Sequence, residues 1–171
     1  MAYRNKTYVA FASEDIKSYY LMLAWKANQN IDFDFFDAHD INTALDTSKP
    51  ETIKARLRER LRNTKQAVLL ASEKAKQKAA DKDSFLTYEI AVLLEFKIPI
   101  VISNLDGNRG LVFASTPTAL LSKQQTLMFT SFQPKIIRYA LDDFVEKFNS
   151  GEYKEPQTLR YTDSKYAELG L

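Results

Sequence analysis

Several residue types and motifs are scarce or missing in this sequence. It contains no cysteine, which excludes disulfides and thiolate metal sites and favours a reducing, cytoplasmic location. Glycine is rare, with 4 in 171 residues, and neither a GxGxxG nor a GxxxxGK[ST] motif occurs. The single histidine, His39, rules out a multi-histidine metal site and lacks partners for a Ser-His-Asp triad. No apolar run is long enough to cross a bilayer and no signal-peptide pattern is present, so no membrane partner is expected.

The charges are nearly balanced, with 24 basic and 22 acidic side chains and a net charge of +2. Nucleic-acid binding requires a concentrated basic face, so no nucleic-acid partner is expected. The densest basic run comprises Lys54, Arg56, Arg58, Arg60, Arg62 and Lys65. Its ordinary role is a solvated helix face, and contact with a protein or nucleotide partner is the alternative.

Strand and helix patterns alternate along the chain. Apolar runs predict strands at Thr7–Ala12, Ile31–Phe36, Gln66–Ala71, Ile98–Ser103 and Gln125–Thr130. Helical spacing predicts helices at Ile16–Asn28, from Pro50, at Ser84–Lys97 and at Pro134–Phe148. Ser13 is predicted to cap the first helix, and Ser72–Asp83 to be a charged connection. The alternation predicts an α/β, flavodoxin-like, three-layer fold with a five-stranded, mostly parallel sheet.

The helix Ser84–Lys97 is apolar nearly all round, which predicts that it is well buried. One of its stripes contains a single polar residue, Glu89. The stripe consists of Phe85, Glu89, Val92 and Phe96. A carboxylate in such a stripe costs free energy unless it is paired or lines a wet pocket.

The expected topology places Glu89 near a ligand crevice. In a sheet of order 2-1-3-4-5, ligands bind beyond the carboxyl ends of the first and third strands. Those ends are Phe11–Ser13 and Ala71–Ser72, and the helix with Glu89 follows the third strand. Two interpretations stay open at this point: a functional carboxylate, or a structural ion pair with a lysine or arginine.

Three segments together resemble the TIR-like domain family. They are YVAFAS in the first strand, FFDAHD at the end of the second, and LTYEI at the start of the helix with Glu89. The similarity is greatest to the bacterial branch that includes the TIR-like protein of the Thoeris anti-phage system. It covers roughly residues 5–148, so we expect a TIR-like domain at 1–150 and a C-terminal appendage at 151–171. The most specific piece, Phe85–Ile90, is similar to the motif aromatic-x-x-[CY]-E-[LI].

The resemblance implies that Glu89 is the catalytic residue of NAD⁺ cleavage. Its carboxylate would hold the nicotinamide ribose and stabilise the positive charge that forms as the glycosidic bond breaks. The predicted substrate-binding positions are Phe11, Ser13, Asp37, Ser72, Phe85 and Tyr88. NAD⁺ would be a substrate, so neither a cofactor nor a metal is expected, although Asp37 and Asp40 could offer carboxylates to Mg²⁺.

The implied activity is that of an NAD⁺ glycohydrolase or cyclase. Capture of the ribosyl cation by water gives ADP-ribose, and capture by the substrate's adenine gives a cyclic ADP-ribose-type signal for a downstream effector protein. The loop Asp37–Pro50 matches the family's BB loop, which implies possible homo-oligomers. One alternative is a non-catalytic TIR-like scaffold for protein assembly, in which Glu89 is an ion-pair partner. Another is a nucleotide-sugar hydrolase or deoxyribosyltransferase-like enzyme on a similar sheet, which would also use a glutamate at a ribosyl carbon.

Overall fold

The computed structural model describes residues 5–37 and 49–171. It contains a sheet of parallel strands with helices on both faces. The strands are β1 (Lys6–Ala10), β2 (Phe36–Asp37), β3 (Gln66–Ala71), β4 (Ile100–Asn104), β5 (Leu127–Ser131) and β6 (Thr158–Arg160). The helices are α1 (Ile16–Ala27), α2 (Pro50–Arg62), α3 (Glu73–Ala80), α4 (Phe85–Glu95), α5 (Pro134–Asn149) and α6 (Asp163–Glu168). Short 3-10 helices lie at Ser13–Asp15 and Thr118–Ser122.

The strand order is β2-β1-β3-β4-β5-β6, and every pair is parallel. This confirms the flavodoxin-like fold and the predicted order of the first five strands. A sixth strand, β6, was not predicted. It lies at the edge of the sheet and pairs with β5, with Thr158 opposite Leu127. Because β6 has three residues and alternates between exposed and half-buried positions, it carries no apolar run that a sequence pattern could detect.

Two hydrophobic clusters pack against the two faces of the sheet. Tyr8 and Ala10 of β1 belong to one cluster, while Val9 belongs to the other, as alternation along a strand requires. The first face is covered by α2, α3 and α4, and the second by α1, α5 and α6. All six residues of β3 are buried, which confirms that this continuously apolar strand is central.

The second predicted strand is wrong in position. Pairing with β1 begins only at Phe36, where Ile31–Phe36 had been predicted. Turn hydrogen bonds hold the preceding backbone, from the Ile31 amide to the Asn28 carbonyl and from the Phe33 amide to the Ile31 carbonyl. The alternation was nevertheless meaningful, because Phe33 and Phe35 are buried in the second cluster.

Two local predictions after the first and third strands are also wrong. Ser13 does not cap α1: it opens a 3-10 turn, and its hydroxyl donates to Glu14 Oε2 at 3.0 Å. The segment after β3 contains the helix α3, where a charged connection had been predicted. Ser72 begins this helix because its Oγ accepts a hydrogen bond from the Ala75 amide at 2.9 Å.

The segment after α5 packs onto the second face of the sheet. Tyr166 of α6 is fully buried there, and its hydroxyl accepts a hydrogen bond from the Ser131 amide at 2.9 Å. Tyr161 is also buried, and its hydroxyl donates to Asp143 Oδ2 at 3.0 Å. Within residues 5–37 and 49–171, no helix has the length and hydrophobicity to cross a bilayer.

Candidate active site

Helix α4 presents Glu89 towards the sheet. The helix begins at Phe85 because Ser84 caps it, with Oγ accepting from the Thr87 amide at 3.1 Å. Leu86 and Ile90 pack into the first cluster, and Glu89 lies between them in the same buried layer with 7% of its surface exposed. The sequence prediction of a buried carboxylate on this helix is therefore confirmed.

The carboxylate of Glu89 is held by a tyrosine of the central sheet. The hydroxyl of Tyr8, a fully buried residue of β1, donates to Glu89 Oε1 at 2.8 Å. Across the described residues no cation forms an ion pair with Glu89, and Tyr8 is its hydrogen-bond partner. The structural ion pair that the scaffold interpretation required is thus not found in that part of the chain.

Burial raises the pKa of Glu89 from its usual 4.5 to about 7. The hydrogen bond from Tyr8 and the positive charge of Arg60 act against this rise, because both favour the ionised form. A carboxyl group with a pKa near neutrality can be ionised or protonated under physiological conditions. A pKa that burial raises this far marks a candidate functional residue.

Helix α2 brings cations alongside α4. The Lys54 ammonium lies 5.6 Å from the centre of the Tyr88 ring. Arg58 forms an ion pair with Glu95, Nη2 to Oε1 at 2.5 Å, and its guanidinium lies 4.9 Å from the Phe96 ring. The basic run recognised in the sequence therefore contacts the helix that carries Glu89, on the side where Tyr88 is half-buried.

The other aromatic candidates lie in different surroundings. Phe85 is 39% exposed at the start of α4, so its ring is accessible. Phe11 stacks on Tyr19, with ring centres 4.9 Å apart, and packs against the second cluster. Since Tyr8 and Glu89 meet on the first face, Phe11 and Glu89 lie on opposite sides of the sheet.

Ser72 links the two strand ends where the ligand crevice was expected. Its hydroxyl donates to Asp15 Oδ2 at 2.5 Å, and so joins the turn after β1 to the start of α3. A cavity of about 430 Å³ opens beside it at the carboxyl ends of β3 and β4. Its lining residues include Ser72, Glu73, Asp106 and Ser115. Ser13 is exposed in the same turn as Asp15 and does not line this cavity.

Only the two ends of the loop between β2 and α2 belong to the described residues. Asp37 ends β2, and its backbone pairs with Thr7, near the amino end of β1. Most of the predicted BB loop Asp37–Pro50, including Asp40, lies outside the described residues. Within residues 5–37 and 49–171, no group of three histidine or acidic side chains is arranged to hold a metal ion.

Two residues of this region were missed by sequence reasoning. Tyr8 is the buried residue of its face of β1 with a polar tip, two positions before Ala10, and that contrast was the available signal. Asp15 gave no signal, because an acidic residue at the start of a helix is ordinary. Its contact with Ser72 joins residues 57 positions apart in the chain.

A parallel sheet of this order, with a buried glutamate on the helix α4 between β3 and β4, is the arrangement expected for a TIR-like domain. The family model described as "Thoeris protein ThsB, TIR-like domain" matches residues 8–109, which is more than half of the chain. The chain therefore belongs to this family of anti-phage signalling proteins. The matched region begins at Tyr8 and includes Glu89. No curated protein matches the sequence.

Proposed function

We propose that this domain cleaves NAD⁺ at the bond between nicotinamide and ribose, with Glu89 as the catalytic carboxylate. The observation that carries the proposal is the state of this side chain: buried, free of an ion pair within the described residues, and held by a neutral hydroxyl. A buried carboxylate with a structural role is ordinarily paired with a cation. Membership of the Thoeris TIR-like family supports the same assignment.

The chemistry needs one carboxylate. As the bond from ribose C1′ to nicotinamide breaks, its electron pair leaves with the nitrogen, and positive charge develops on the ribose ring. An ionised Glu89 stabilises that charge at close range, and the effect is large because the surroundings are apolar. Nicotinamide leaves as a neutral molecule, so no general acid has to protonate it.

The hydrogen bond from Tyr8 uses one of the two carboxylate oxygens of Glu89. Tyr8 binds Oε1, so Oε2 can accept a hydrogen bond from a ribose hydroxyl. Lys54, beside the Tyr88 ring, supplies positive charge for the pyrophosphate on the α2 side. The ribosyl cation is then captured by water, which gives ADP-ribose and a proton, or by the substrate's adenine, which gives a cyclic product for a downstream effector.

The test is release of nicotinamide from NAD⁺ by the purified protein, followed by chromatography. We expect Glu89→Gln to lower turnover by about 100-fold or more, since it removes the charge and keeps the shape. The matched control is Glu95→Gln, a partly exposed carboxylate on the same helix, which should retain activity. Assays at high protein concentration with a crowding agent cover the case in which activity requires assembly.

The outcomes separate the alternatives. Equal activity of wild type and Glu89→Gln, or no turnover in any assembled state, would refute the proposal. If nucleosides but not NAD⁺ are cleaved, the alternative of a nucleotide-sugar hydrolase or deoxyribosyltransferase-like enzyme is correct. If nothing is cleaved but changes in the loop Asp37–Pro50 abolish binding to a partner, the domain is a scaffold.

A further inference from the structure

We propose that Tyr8 is a positioning residue that keeps the carboxylate of Glu89 oriented and ionised for catalysis. This inference rests on the proposed function, because it assigns a role within that site. It concerns a residue of β1 that lies 81 positions from Glu89 in the chain.

The first support is the rigidity of the donor. Tyr8 lies in the middle of β1, which pairs with β2 on one side and with β3 on the other. The tyrosine is fully buried, so its ring has a fixed position against which the hydroxyl is presented. A glutamate has several rotatable bonds, and the 2.8 Å hydrogen bond to Oε1 selects one orientation of the carboxylate.

The second support is the absence of competing donors in the described surroundings of Glu89. From β1 the facing group is the Tyr8 hydroxyl, and from α2 the positive charge of Arg60 acts on Glu89. From α3 and the 3-10 helix Thr118–Ser122, apolar side chains join the cluster that surrounds Leu86 and Ile90. They are Ala75, Ala79, Leu120 and Leu121. A hydrogen bond from a phenolic hydroxyl to a carboxylate is charge-assisted, and it favours the ionised form of the carboxyl group.

The consequence concerns the pH dependence of the reaction. If the ionised carboxylate is the active form, the rate rises with pH as Glu89 loses its proton. The Tyr8 hydrogen bond opposes the rise that burial causes in the pKa of Glu89. Removing the hydroxyl should therefore raise this pKa further, so that Glu89 releases its proton at a higher pH. A residue with a structural role alone would change stability without moving this profile.

The experiment compares the pH profile of NAD⁺ cleavage in wild type and Tyr8→Phe, which lacks only the hydroxyl. We expect the acidic limb to move up by about one pH unit, so that turnover at pH 6.5 falls about eightfold while turnover near pH 9 stays within about twofold. The matched control is Tyr166→Phe. Tyr166 is equally buried and hydrogen-bonded, but it lies on the other face of the sheet. Its profile should match that of wild type.

A second measurement does not depend on activity. The Glu89 carboxyl carbon is titrated by NMR in both proteins and assigned through Glu89→Gln, and we expect a higher pKa in Tyr8→Phe. The role of Tyr8 would be overturned if wild type is active but Tyr8→Phe shows the same acidic limb of the pH profile and the same pKa of Glu89. An inactive wild type with a raised pKa in Tyr8→Phe would instead overturn the NAD⁺ cleavage, while the control of the carboxylate by Tyr8 would stand.

Discussion

Replacing Glu89 by glutamine should make the protein more stable at neutral and alkaline pH. Glutamine has nearly the same shape and can still accept the Tyr8 hydrogen bond, but it has no charge to bury. The difference in unfolding free energy between the two proteins therefore reports the ionisation of this single side chain, because the other titrating groups are common to both.

The sign follows from where the proton is bound. Below the usual pKa of 4.5, Glu89 is protonated in both the folded and the unfolded chain, so ionisation contributes nothing. Between 4.5 and about 7 the unfolded chain releases the proton while the folded chain keeps it, so the relative stability of wild type falls as pH rises. The loss is complete above about 7, where both states are ionised.

The magnitude follows from the same two values. At 1.36 kcal/mol for each pKa unit, the rise from 4.5 to about 7 corresponds to a loss of roughly 3 kcal/mol. For a domain of this size that amounts to about 6–12 °C in melting temperature. We expect the two proteins to be similar at pH 4.5 and the glutamine variant to be more stable by this amount at pH 8.

The assay is urea unfolding followed by circular dichroism at several pH values between 4.5 and 8. Glu95→Gln is the control of opposite sign, because the ion pair with Arg58 lowers the pKa of Glu95. The unfolding free energy of wild type should therefore increase relative to that of Glu95→Gln as pH rises. The increase should be small, because the ion pair is largely exposed. If the difference in unfolding free energy between wild type and Glu89→Gln stays constant from pH 4.5 to 8, the raised pKa of a buried Glu89 is refuted.

Two further predictions concern the framework around the site. Ser72→Ala should lower the unfolding free energy by about 1–2 kcal/mol, because the Ala75 amide at the start of α3 loses its acceptor; the exposed Ser150→Ala serves as control and should change it by less than about 0.5 kcal/mol. Tyr166→Phe should cost about 1–3 kcal/mol in thermal unfolding, because the buried Ser131 amide is left without its partner. Stabilities equal to wild type would contradict the role given to each hydroxyl.

The sheet could be predicted from the sequence wherever a continuous apolar run determines a strand. Gln66–Ala71 coincides with β3, since a strand buried on both faces needs apolar residues throughout. Helix α4 was predictable for the same reason, and with it the burial of Glu89. Where a strand is short or lies at the edge, as β2 and β6 do, tertiary pairing decides its extent and the local sequence gives no clear signal.

The partners of the candidate site could not be predicted, because they depend on distant side chains meeting across the sheet. The glutamate was recognisable from its position in an apolar stripe. That Tyr8 would reach it follows from the register between β1 and β3 and the packing of α4 on β1. Likewise, the meeting of Ser72 with Asp15 follows from the adjacency of β1 and β3, which chain order alone does not specify.

These features explain why an ionisable side chain is retained in an apolar layer. Alanine or leucine at position 89 would fit the surrounding cluster without the cost of burying a charge, so packing does not account for a glutamate there. Tyr8 supplies a hydrogen bond that reduces this cost but does not remove it, since the pKa still rises to about 7. A destabilising group that is positioned by a rigid strand is typical of a site selected for chemistry over stability. The loss of stability above pH 7 and the gain of activity in the same range would then share one cause, the ionisation of Glu89.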